Sequence, residues 1–368
     1  MRVTMLGTLG SGKTTFMAGL HKTLFESNVR GFHIVPKANS NLSIPNDFDS
    51  LARQEMIAGS FEHLSFEYLK GYPEKTNKTT LWQMDLNHSV EKVVGFEWID
   101  YRGGILMDST DENIFADEAR VNDIKNLYSH LQSSQAIMLF VDAFKLTKAP
   151  SISRARSITN INTMTRFLMR FAEQNTKSEL TFLIVLTKID AIEQEWHNKD
   201  YANLLDLTNE AFEQFRQVCL SSTSWSGGIV PISSVGEGNA KNQIKDNNSE
   251  NYFEREISLA STISNEPEPY NVSHALFFCI GDLLRRQNLQ DRKTNFETQK
   301  ILGEAVRKMQ NEDPLSVFFK KLAQQPTAAN EVAKLWTKNQ EEIQQLNRYD
   351  SILRQLYEEA IRKVTIIK

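Results

Sequence analysis

Near its start the chain reads Gly7-Thr8-Leu9-Gly10-Ser11-Gly12-Lys13-Thr14, and this segment governs the interpretation of the rest. It matches G-x-x-x-x-G-K-[ST], the Walker A phosphate loop. Residues 3–6 before it have strand character, and Phe16, Leu20 and Leu24 after it recur at helical spacing. A strand, a glycine-rich loop and a helix in this order are the context that distinguishes a phosphate-binding loop from a chance match.

The residue types of this segment suit the binding of a nucleoside triphosphate. Glycines allow successive backbone N–H groups to turn inward around a phosphate at a helix N-terminus. We expect Lys13 to reach the β- and γ-phosphate oxygens and Thr14 to place its hydroxyl on Mg²⁺. The alternative is a glycine-rich turn that happens to precede a lysine. The residues assigned to phosphate binding are Gly7, Leu9, Gly10, Ser11, Gly12, Lys13, Thr14 and Thr15.

Composition is ample for one large core and a smaller appended unit, and it does not argue for a nucleic-acid partner. The chain has 368 residues, of which 40% are hydrophobic and 24% charged, with a net charge of −4, so no basic footprint for a polyanion is present. Cys219 and Cys279 lie in apolar surroundings, as expected for reduced thiols. No apolar run reaches transmembrane length and the first strand begins at Arg2, so we expect a cytoplasmic protein without a membrane span.

Further along the chain, apolar runs of strand type alternate with helical patterns. The segments 80–86 and 92–100 alternate in the manner of a β-hairpin. Residues 136–142, 180–186 and 228–232 are apolar runs typical of buried parallel strands. This alternation predicts a three-layer α/β fold with a mainly parallel sheet and the hairpin strand antiparallel at one edge.

Helical patterns occur between and after these strands. They predict helices over 47–59, 158–171 and 201–220, and a long last helix over about 328–364 with one apolar stripe. An amphipathic stripe indicates only that one face is buried, so the last helix can pack against its own chain or against a partner.

Two domains are expected. Residues 1–287 would form the α/β domain and residues 288–368 a C-terminal α-helical extension. Within the first, about 31–75 and 237–270 are interpreted as insertions, the second partly flexible because it is rich in Asn, Glu, Lys and Ser.

A second motif follows the hairpin. Asp100 ends the strand and precedes Tyr101-Arg102-Gly103-Gly104. An aspartate, two further residues and a glycine after an apolar strand are the metal and γ-phosphate signature of a nucleotide switch. We expect Asp100 to hold Mg²⁺ through water and the Gly103 N–H to contact the γ-phosphate. Asp142, which ends another strand, is interpreted as capping or bonding the adjacent loop.

A third motif, Thr187-Lys188-Ile189-Asp190, is expected to select the base. A carboxylate here can accept hydrogen bonds from guanine N1–H and the N2 amine, two donors that adenine lacks in that arrangement. The Lys188 stem can lie over the ring face, and the backbone N–H near Ser234, in the pair Ser233-Ser234, can approach guanine O6. The alternative is a helix N-cap aspartate beside a solvated lysine. Each motif ends a predicted strand, where open α/β sheets bind ligands.

The ordered motifs 7–14, 100–103, 187–190 and 233–234 resemble those of the translation-factor-related (TRAFAC) class of P-loop GTPases, which includes Ras-like and Obg-like switches. The resemblance covers about residues 2–286. It implies a GTP-binding and GTP-hydrolysing molecular switch whose ligands are GTP, GDP and Mg²⁺.

A looser resemblance concerns two short segments, Tyr72-Pro73-Glu74-Lys75-Thr76 and Pro269-Tyr270-Asn271-Val272. They look like segments of bacterial double-GTPase-type proteins, which are encoded with partner proteins and are suspected of acting in anti-phage or other biological-conflict systems. This resemblance implies a partner protein encoded nearby, or a second copy of the chain, contacted through the switch segments or the C-terminal helices.

The GTPase resemblance also implies a switch I threonine that binds Mg²⁺. Thr76 is the first choice, with Thr79 and Thr80 as competitors. Gly104 stands where many relatives carry a glutamine or glutamate that orients the attacking water. Slow hydrolysis is therefore expected, unless Arg102 or a residue supplied in trans positions the water. The residues assigned to catalysis are Lys13, Thr76, Arg102 and Gly103.

Two other functions compete with the switch. An ATP-using P-loop enzyme would bind through the same phosphate loop, but it gives no reason for Asp190 after a Thr-Lys pair. A scaffold that binds nucleotide with little turnover is favoured by Gly104, which has no side chain to orient water.

Overall fold

The computed structural model describes residues 1–8, 10–36, 56–58, 79–101, 118–174, 179–222, 224–244, 255–259, 266–287 and 351–367. Several residues singled out from the sequence lie outside these ranges, namely Leu9, Thr76, Arg102, Gly103 and Gly104. The chain divides into two compact units, one of Met1–Ile280 with Glu359–Lys368 and one of Gly281–Glu358. The predicted boundary between residues 287 and 288 stays a prediction.

The described strands are given first, in chain order. They are β1 (Arg2–Gly7), β2 (Phe32–Pro36), β3 (Met56–Ala58), β4 (Thr79–His88), β5 (Glu91–Asp100), β6 (Ala136–Asp142), β7 (Leu180–Thr187), β8 (Trp225–Pro231), β9 (Ala240–Ile244), β10 (Arg255–Leu259) and β11 (Thr365–Ile366).

The described helices follow in the same order. They are α1 (Lys13–Leu20), α2 (Glu118–Gln132), α3 (Ala143–Lys148), α4 (Ile152–Ile158), α5 (Ile161–Gln174), α6 (Glu193–Asn198), α7 (Ala202–Ala211), α8 (Glu213–Ser221), α9 (residues 272–287) and α10 (residues 351–361). Helix α1 continues into a π-helical turn, His21–Phe25, and a 3₁₀ turn, Ile189–Ala191, follows β7.

One mixed sheet organises these elements. Its strand order is β11-β8-β7-β6-β1-β5-β4-β2, and β3 pairs with β4 off this path. The strands from β8 to β5 along this order are mutually parallel, while β4 is antiparallel to both β5 and β2. Strands β1, β6 and β7 are buried along their whole length, and such strands read as unbroken apolar runs rather than alternating ones. The predicted α/β fold with a mainly parallel sheet is confirmed.

Alternate residues of the central strands face two different layers of helices. On β6, Leu139 and Val141 belong to the same apolar cluster as Phe171 of α5. The residue between them, Phe140, instead packs edge-on against Phe16 of α1, with 5.1 Å between the ring centroids. This alternation is what a strand with both faces covered requires, and it produces the predicted three layers.

The prediction of one antiparallel edge strand was too simple. Antiparallel pairing occurs at both ends of the strand order, because β2 pairs with β4 and the C-terminal β11 pairs with β8. Strand β11 is only two residues long and is extended by the Ile367 N–H, which donates to the Gly227 carbonyl at 2.8 Å. A pairing this short leaves no alternating pattern in the sequence.

Several predicted elements also differ in detail. The helix predicted over 47–59 cannot include residues 56–58, which form β3. The helix predicted over 201–220 is two helices that meet at Phe212, whose φ of −100° and ψ of 16° interrupt the regular turn. The insertion 237–270 contains the antiparallel pair β9–β10. None of the described helices combines the length and apolar character needed to cross a membrane.

Candidate functional site

The loop between β1 and α1 has a backbone that only glycine readily adopts. Gly12 is the N-cap of α1 with φ 89°, in the left-handed region. At Gly7 the constraint is space, because an added Cβ would lie 2.5 Å from Ser11 Oγ and 2.9 Å from Phe140 Cβ. The glycines of this loop therefore allow a tight connection between β1 and α1. As a result, the first turn of α1, with Thr14 and Thr15, lies at the edge of the sheet.

Two contacts hold this loop. The Lys13 ammonium donates to the Gly7 carbonyl at 3.0 Å and to the Thr8 carbonyl at 3.3 Å. The Thr187 hydroxyl lies within hydrogen-bond distance of two carbonyl oxygens, 2.9 Å from that of Ser11 and 3.2 Å from that of Val141. Because Thr187 opens the motif predicted to read the base, the phosphate loop and the base motif are bonded to each other directly.

Asp100 lies at the end of the strand next to β1. The register of β1 and β5 pairs it with Met5, one residue before Leu6 and two before Gly7. Its side chain is 1% exposed, and neither carboxylate oxygen has a hydrogen-bond partner among the described residues. Such groups are rare in folded proteins, because an unpartnered buried carboxylate is costly.

Asp100 and Lys13 influence each other's ionisation. Burial raises the pKa of Asp100 to about 6, and the positive charge of Lys13 opposes this rise. Burial lowers the pKa of Lys13, and the negative charge of Asp100 opposes that fall. Asp100 and Lys13 are thus two oppositely charged side chains that are removed from water beside the phosphate loop. The attraction between them does not fully offset the cost of desolvating either charge.

These residues fit a bound Mg²⁺. The orphaned oxygens of Asp100 are hard acceptors of the kind that Mg²⁺ prefers, and Thr14 lies in the first turn of α1. Across the described ranges, no group of three or more His, Cys, Asp or Glu side chains is placed to hold a metal on its own. Mg²⁺ is usually bound by one or two carboxylates together with phosphate oxygens and water, and Asp100 is a carboxylate suited to such a site.

The residues predicted to read the base lie two strands away from β1. Lys188 adopts φ 62°, and its ammonium donates to Asp142 at 2.6 Å. Asp190 follows in the 3₁₀ turn and accepts a hydrogen bond from the Ser233 side chain. Burial raises the pKa of the Asp190 carboxyl, and the Ser233 hydrogen bond is the largest opposing influence. The alternative of a capping aspartate beside a solvated lysine does not hold, because Lys188 and Ile192 are the N-cap residues here.

Ser233 is itself held from several directions. Its hydroxyl accepts a hydrogen bond from the Gly236 N–H at 2.9 Å. Its backbone pairs with Tyr270, with N–H to carbonyl distances of 2.8 Å and 3.2 Å. The neighbouring Ser234 is also buried. A further backbone hydrogen bond, from the Ile189 N–H to the Ile232 carbonyl at 3.4 Å, joins the loop after β8 to the 3₁₀ turn that carries Asp190.

The strand register brings most of the sequence-predicted site residues to one edge of the sheet. Gly7 is paired with Phe140, and Asp142 with Thr187, so the ends of β1, β6 and β7 are neighbours. Of the candidate switch I threonines, Thr80 stands opposite Asp100 in the β4–β5 pair and Thr79 precedes it, while Thr76 lies outside the described residues. The choice among the three stays a prediction.

Asp142 is the residue whose role sequence reasoning identified only in part. It caps α3 as predicted, because its Oδ1 accepts a hydrogen bond from the Lys145 N–H at 3.0 Å. Its pairing with Lys188 was missed. The available signal was that Asp142 ends an apolar strand in the same way as Asp100 does.

Comparison with known proteins gives a limited result. No protein-family model matches the chain, and no curated protein matches it. Solved structures are similar to part of it, and two of them are described here. One is a GTP-binding protein from the hyperthermophilic archaeon Sulfolobus solfataricus in complex with GDP, with 14% identity and a TM-score of 0.28 over 63% of this chain and 46% of that one. The other is a mutation variant of SsGBP, with 14% identity and a TM-score of 0.27 over 63% of this chain and 48% of that one.

The chain thus spans less than half the length of these two structures. Scores and identities this low say nothing about the ligand of this chain. The assignment of the fold rests on the sheet order and register described above.

Proposed function

We propose that this protein binds a guanine nucleotide with Mg²⁺ at the carboxyl edge of its sheet and hydrolyses GTP slowly, as a switch that controls a partner protein. One observation carries the proposal. The strand ends bring together a glycine loop with a buried lysine, the orphaned Asp100 carboxylate and the half-buried Asp190 carboxylate, and a hydrogen bond from Thr187 joins the base motif to the glycine loop. A purine nucleotide has its phosphates at one end and its base at the other. In this arrangement the lysine of the glycine loop would face the phosphates, and the carboxylate of the base motif would face the base.

On the phosphate side, the chain's own residues supply the charges. The Lys13 ammonium now rests on two backbone carbonyls, which are weaker partners than phosphate oxygens. Asp100 and Thr14 are the residues that would hold Mg²⁺, and when bound this ion neutralises charge on the phosphate oxygens. The buried setting of Asp100 strengthens its interaction with any cation that approaches.

On the base side, Asp190 is the group that would select guanine. Its carboxylate can accept from N1–H and the N2 amine, and the Ser233 side chain is a hydrogen-bond partner within the chain. A ligand that lacks those donors would leave the half-buried Asp190 carboxylate with only the Ser233 hydrogen bond, and an acceptor site that stays unsatisfied costs about 1–3 kcal/mol. Adenine nucleotides should therefore bind more weakly.

The finer assignments rest on sequence motifs. The order of the four motifs supports membership in the TRAFAC class of GTPases. A cytoplasmic location is part of the same proposal. The looser resemblance of residues 72–76 and 269–272 to double-GTPase-type proteins supports a partner encoded nearby and a role in bacterial anti-phage defence. Gly104, in place of a residue that orients water, supports slow intrinsic turnover.

A thermal-shift series tests the proposal. GDP and GTP with MgCl₂ should raise the melting temperature more than ADP and ATP at equal concentration, because a ligand that binds only the folded state stabilises it by mass action. A larger shift with adenine nucleotides would overturn the guanine assignment. Phosphate release above the uncatalysed background, absent in Lys13→Ala, would establish turnover, and its absence with every candidate partner would leave a scaffold that only binds nucleotide.

A further inference from the structure

Asp142 uses its two carboxylate oxygens for two different purposes. Oδ1 caps α3 through the Lys145 N–H at 3.0 Å, and Oδ2 accepts from the Lys188 ammonium at 2.6 Å. The Asp142 and Lys188 side chains are only 9% and 15% exposed. A charge-assisted hydrogen bond this short and this sheltered from solvent is much stronger than a surface ion pair.

The pairing follows from the sheet itself. Strands β6 and β7 are parallel neighbours, and their register places Asp142 beside Thr187, the residue before Lys188. Lys188 has a left-handed backbone, which residues with a side chain adopt only when their surroundings hold them there. The direction of the Lys188 side chain is therefore set from both ends, by the backbone turn and by Asp142.

Without Asp142, the ammonium of Lys188 would have another partner close by. Asp190 is two residues further along the same turn and already senses the charge of Lys188, and more weakly that of Lys199. A lysine ammonium is a compact charge on a flexible stem with three donors. If it were released, it would move toward Asp190 and occupy the oxygens that a guanine base needs.

We propose that Asp142 is a specificity-determining positioning residue, which holds the Lys188 ammonium away from Asp190 so that the carboxylate stays available to the base. This inference rests on the proposed binding of a guanine nucleotide. It assigns to the end of β6 a role in base selection, although Asp142 itself need not touch the ligand.

The direct test is Asp142→Asn. The asparagine amide oxygen can still cap α3, so the helix start is preserved while the charge is lost. We expect the ratio of the Kd for ADP to the Kd for GDP to fall by about tenfold, the effect of roughly 1.4 kcal/mol. If Asp142→Asn does not fold, Asp142→Ser serves the same purpose, because serine also caps helices without a charge.

A second substitution separates positioning from damage. In Asp142→Asn/Lys188→Met, the competing ammonium is gone while an unbranched apolar stem remains. Base preference should recover toward that of Lys188→Met alone. If Asp142 were only structural, the double variant would be no better than Asp142→Asn.

The matched control is an ion pair between the first residue of β1 and the neighbouring strand β5. Arg2 and Glu97 form a similarly sheltered ion pair at 2.9 Å, with side chains 9% and 18% exposed. Glu97→Gln should leave the nucleotide ratio unchanged. Melting temperatures without nucleotide should show that each variant is folded before its binding is compared.

The outcomes are distinguishable. If the wild-type protein binds no purine nucleotide, or prefers adenine, the proposed function fails and this inference falls with it. If the wild-type protein prefers guanine and Asp142→Asn keeps the same ratio, only this inference is overturned. If Asp142→Asn loses the preference for GDP over ADP and the double variant does not regain it, this inference is also overturned, in favour of a structural role for Asp142.

Discussion

The phosphate side and the base side of the candidate site bury charge in different ways. On the base side, Asp142 pairs with Lys188 at 2.6 Å and Asp190 accepts a hydrogen bond from Ser233. On the phosphate side, both oxygens of Asp100 lack a hydrogen-bond partner among the residues that the structure describes. Within the part of the chain that the structure describes, the base-side charges thus have partners and Lys13 has only backbone carbonyls, whereas the Asp100 carboxylate has no hydrogen-bond partner.

This difference suggests a division of labour. Charges that the protein leaves uncompensated gain most when a polyanion and its metal arrive, so the phosphate side should supply most of the affinity. Groups that are already oriented lose little on binding and reject a wrong partner sharply, so the base side should supply the selectivity. Substitutions on the two sides should consequently have different signatures.

The largest effect is expected from Lys13→Ala. It should weaken GDP and ADP binding alike by at least about a hundredfold, since it removes the cation that faces the phosphates. The fold should survive, because the Lys13 ammonium donates to loop carbonyls rather than to the core. Titration calorimetry would measure this, with Lys22→Ala as the control, a lysine on the same helical segment whose partners are Glu26 and Glu266. Tight nucleotide binding by Lys13→Ala would contradict the phosphate-loop assignment.

Asp190→Asn should weaken the binding of guanine nucleotides alone. Loss of one carboxylate oxygen and its charge should weaken GDP binding by about 1.5–3 kcal/mol and leave ADP binding nearly unchanged. The comparison of the two nucleotides is the measurement, and Lys13→Ala provides the contrast because it weakens both. An equal loss for GDP and ADP would place base reading elsewhere.

Asp100→Asn should show the opposite pattern. We expect it to reduce the gain in affinity that Mg²⁺ provides, by about 1–3 kcal/mol, equally for guanine and adenine nucleotides. Binding measured in EDTA should change much less. If instead Asp100→Asn altered the choice of base, the separation of the two sides would be wrong.

Thr187→Val tests the link between the sides. Valine keeps the shape of threonine but removes the hydroxyl near the Ser11 and Val141 carbonyls. We expect a loss of about 1 kcal/mol in the free energy of unfolding, with affinity lowered for all nucleotides because the phosphate loop is less firmly held. Urea unfolding and calorimetry on the same preparation would show both. Unchanged stability and binding would mean that the Thr187 hydroxyl contributes measurably neither to the free energy of unfolding nor to nucleotide affinity.

The smallest expected effect is a pH dependence of base selection. Burial raises the pKa of Asp190, and only the ionised carboxylate accepts from both guanine donors. As the pH falls, preference for GDP over ADP should therefore decline, starting at a higher pH than an exposed aspartate, whose pKa is about 3.9, would show. Asp190→Asn should lack this dependence. A wild-type ratio that stays constant through the same range would exclude the Asp190 carboxylate as the group that titrates.

The sequence alone predicted the central strands and the placement of most site residues. Buried parallel strands are unbroken apolar runs, so Ala136–Asp142 and Leu180–Thr187 could be read directly, and the motif residues lie at their ends. The glycine pattern around Gly12 likewise dictated the loop. These features depend on local sequence, and local sequence was sufficient for them.

Features that depend on pairing between distant segments were not predictable. The Asp142–Lys188 bond joins residues 46 positions apart and exists only because β6 and β7 are in a particular register. Strand β11 is a two-residue pairing with β8, and Thr187 reaches Ser11 across 176 positions. The break between α7 and α8 at Phe212 carries no proline or glycine to mark it.

Isothermal titration calorimetry of the purified chain with GDP and ADP, with and without MgCl₂, tests the central claim most directly. The proposed function predicts one nucleotide bound per chain, tighter binding of GDP than of ADP, and a further gain for both when Mg²⁺ is present. The absence of heat for every purine nucleotide, or tighter binding of ADP, would contradict it.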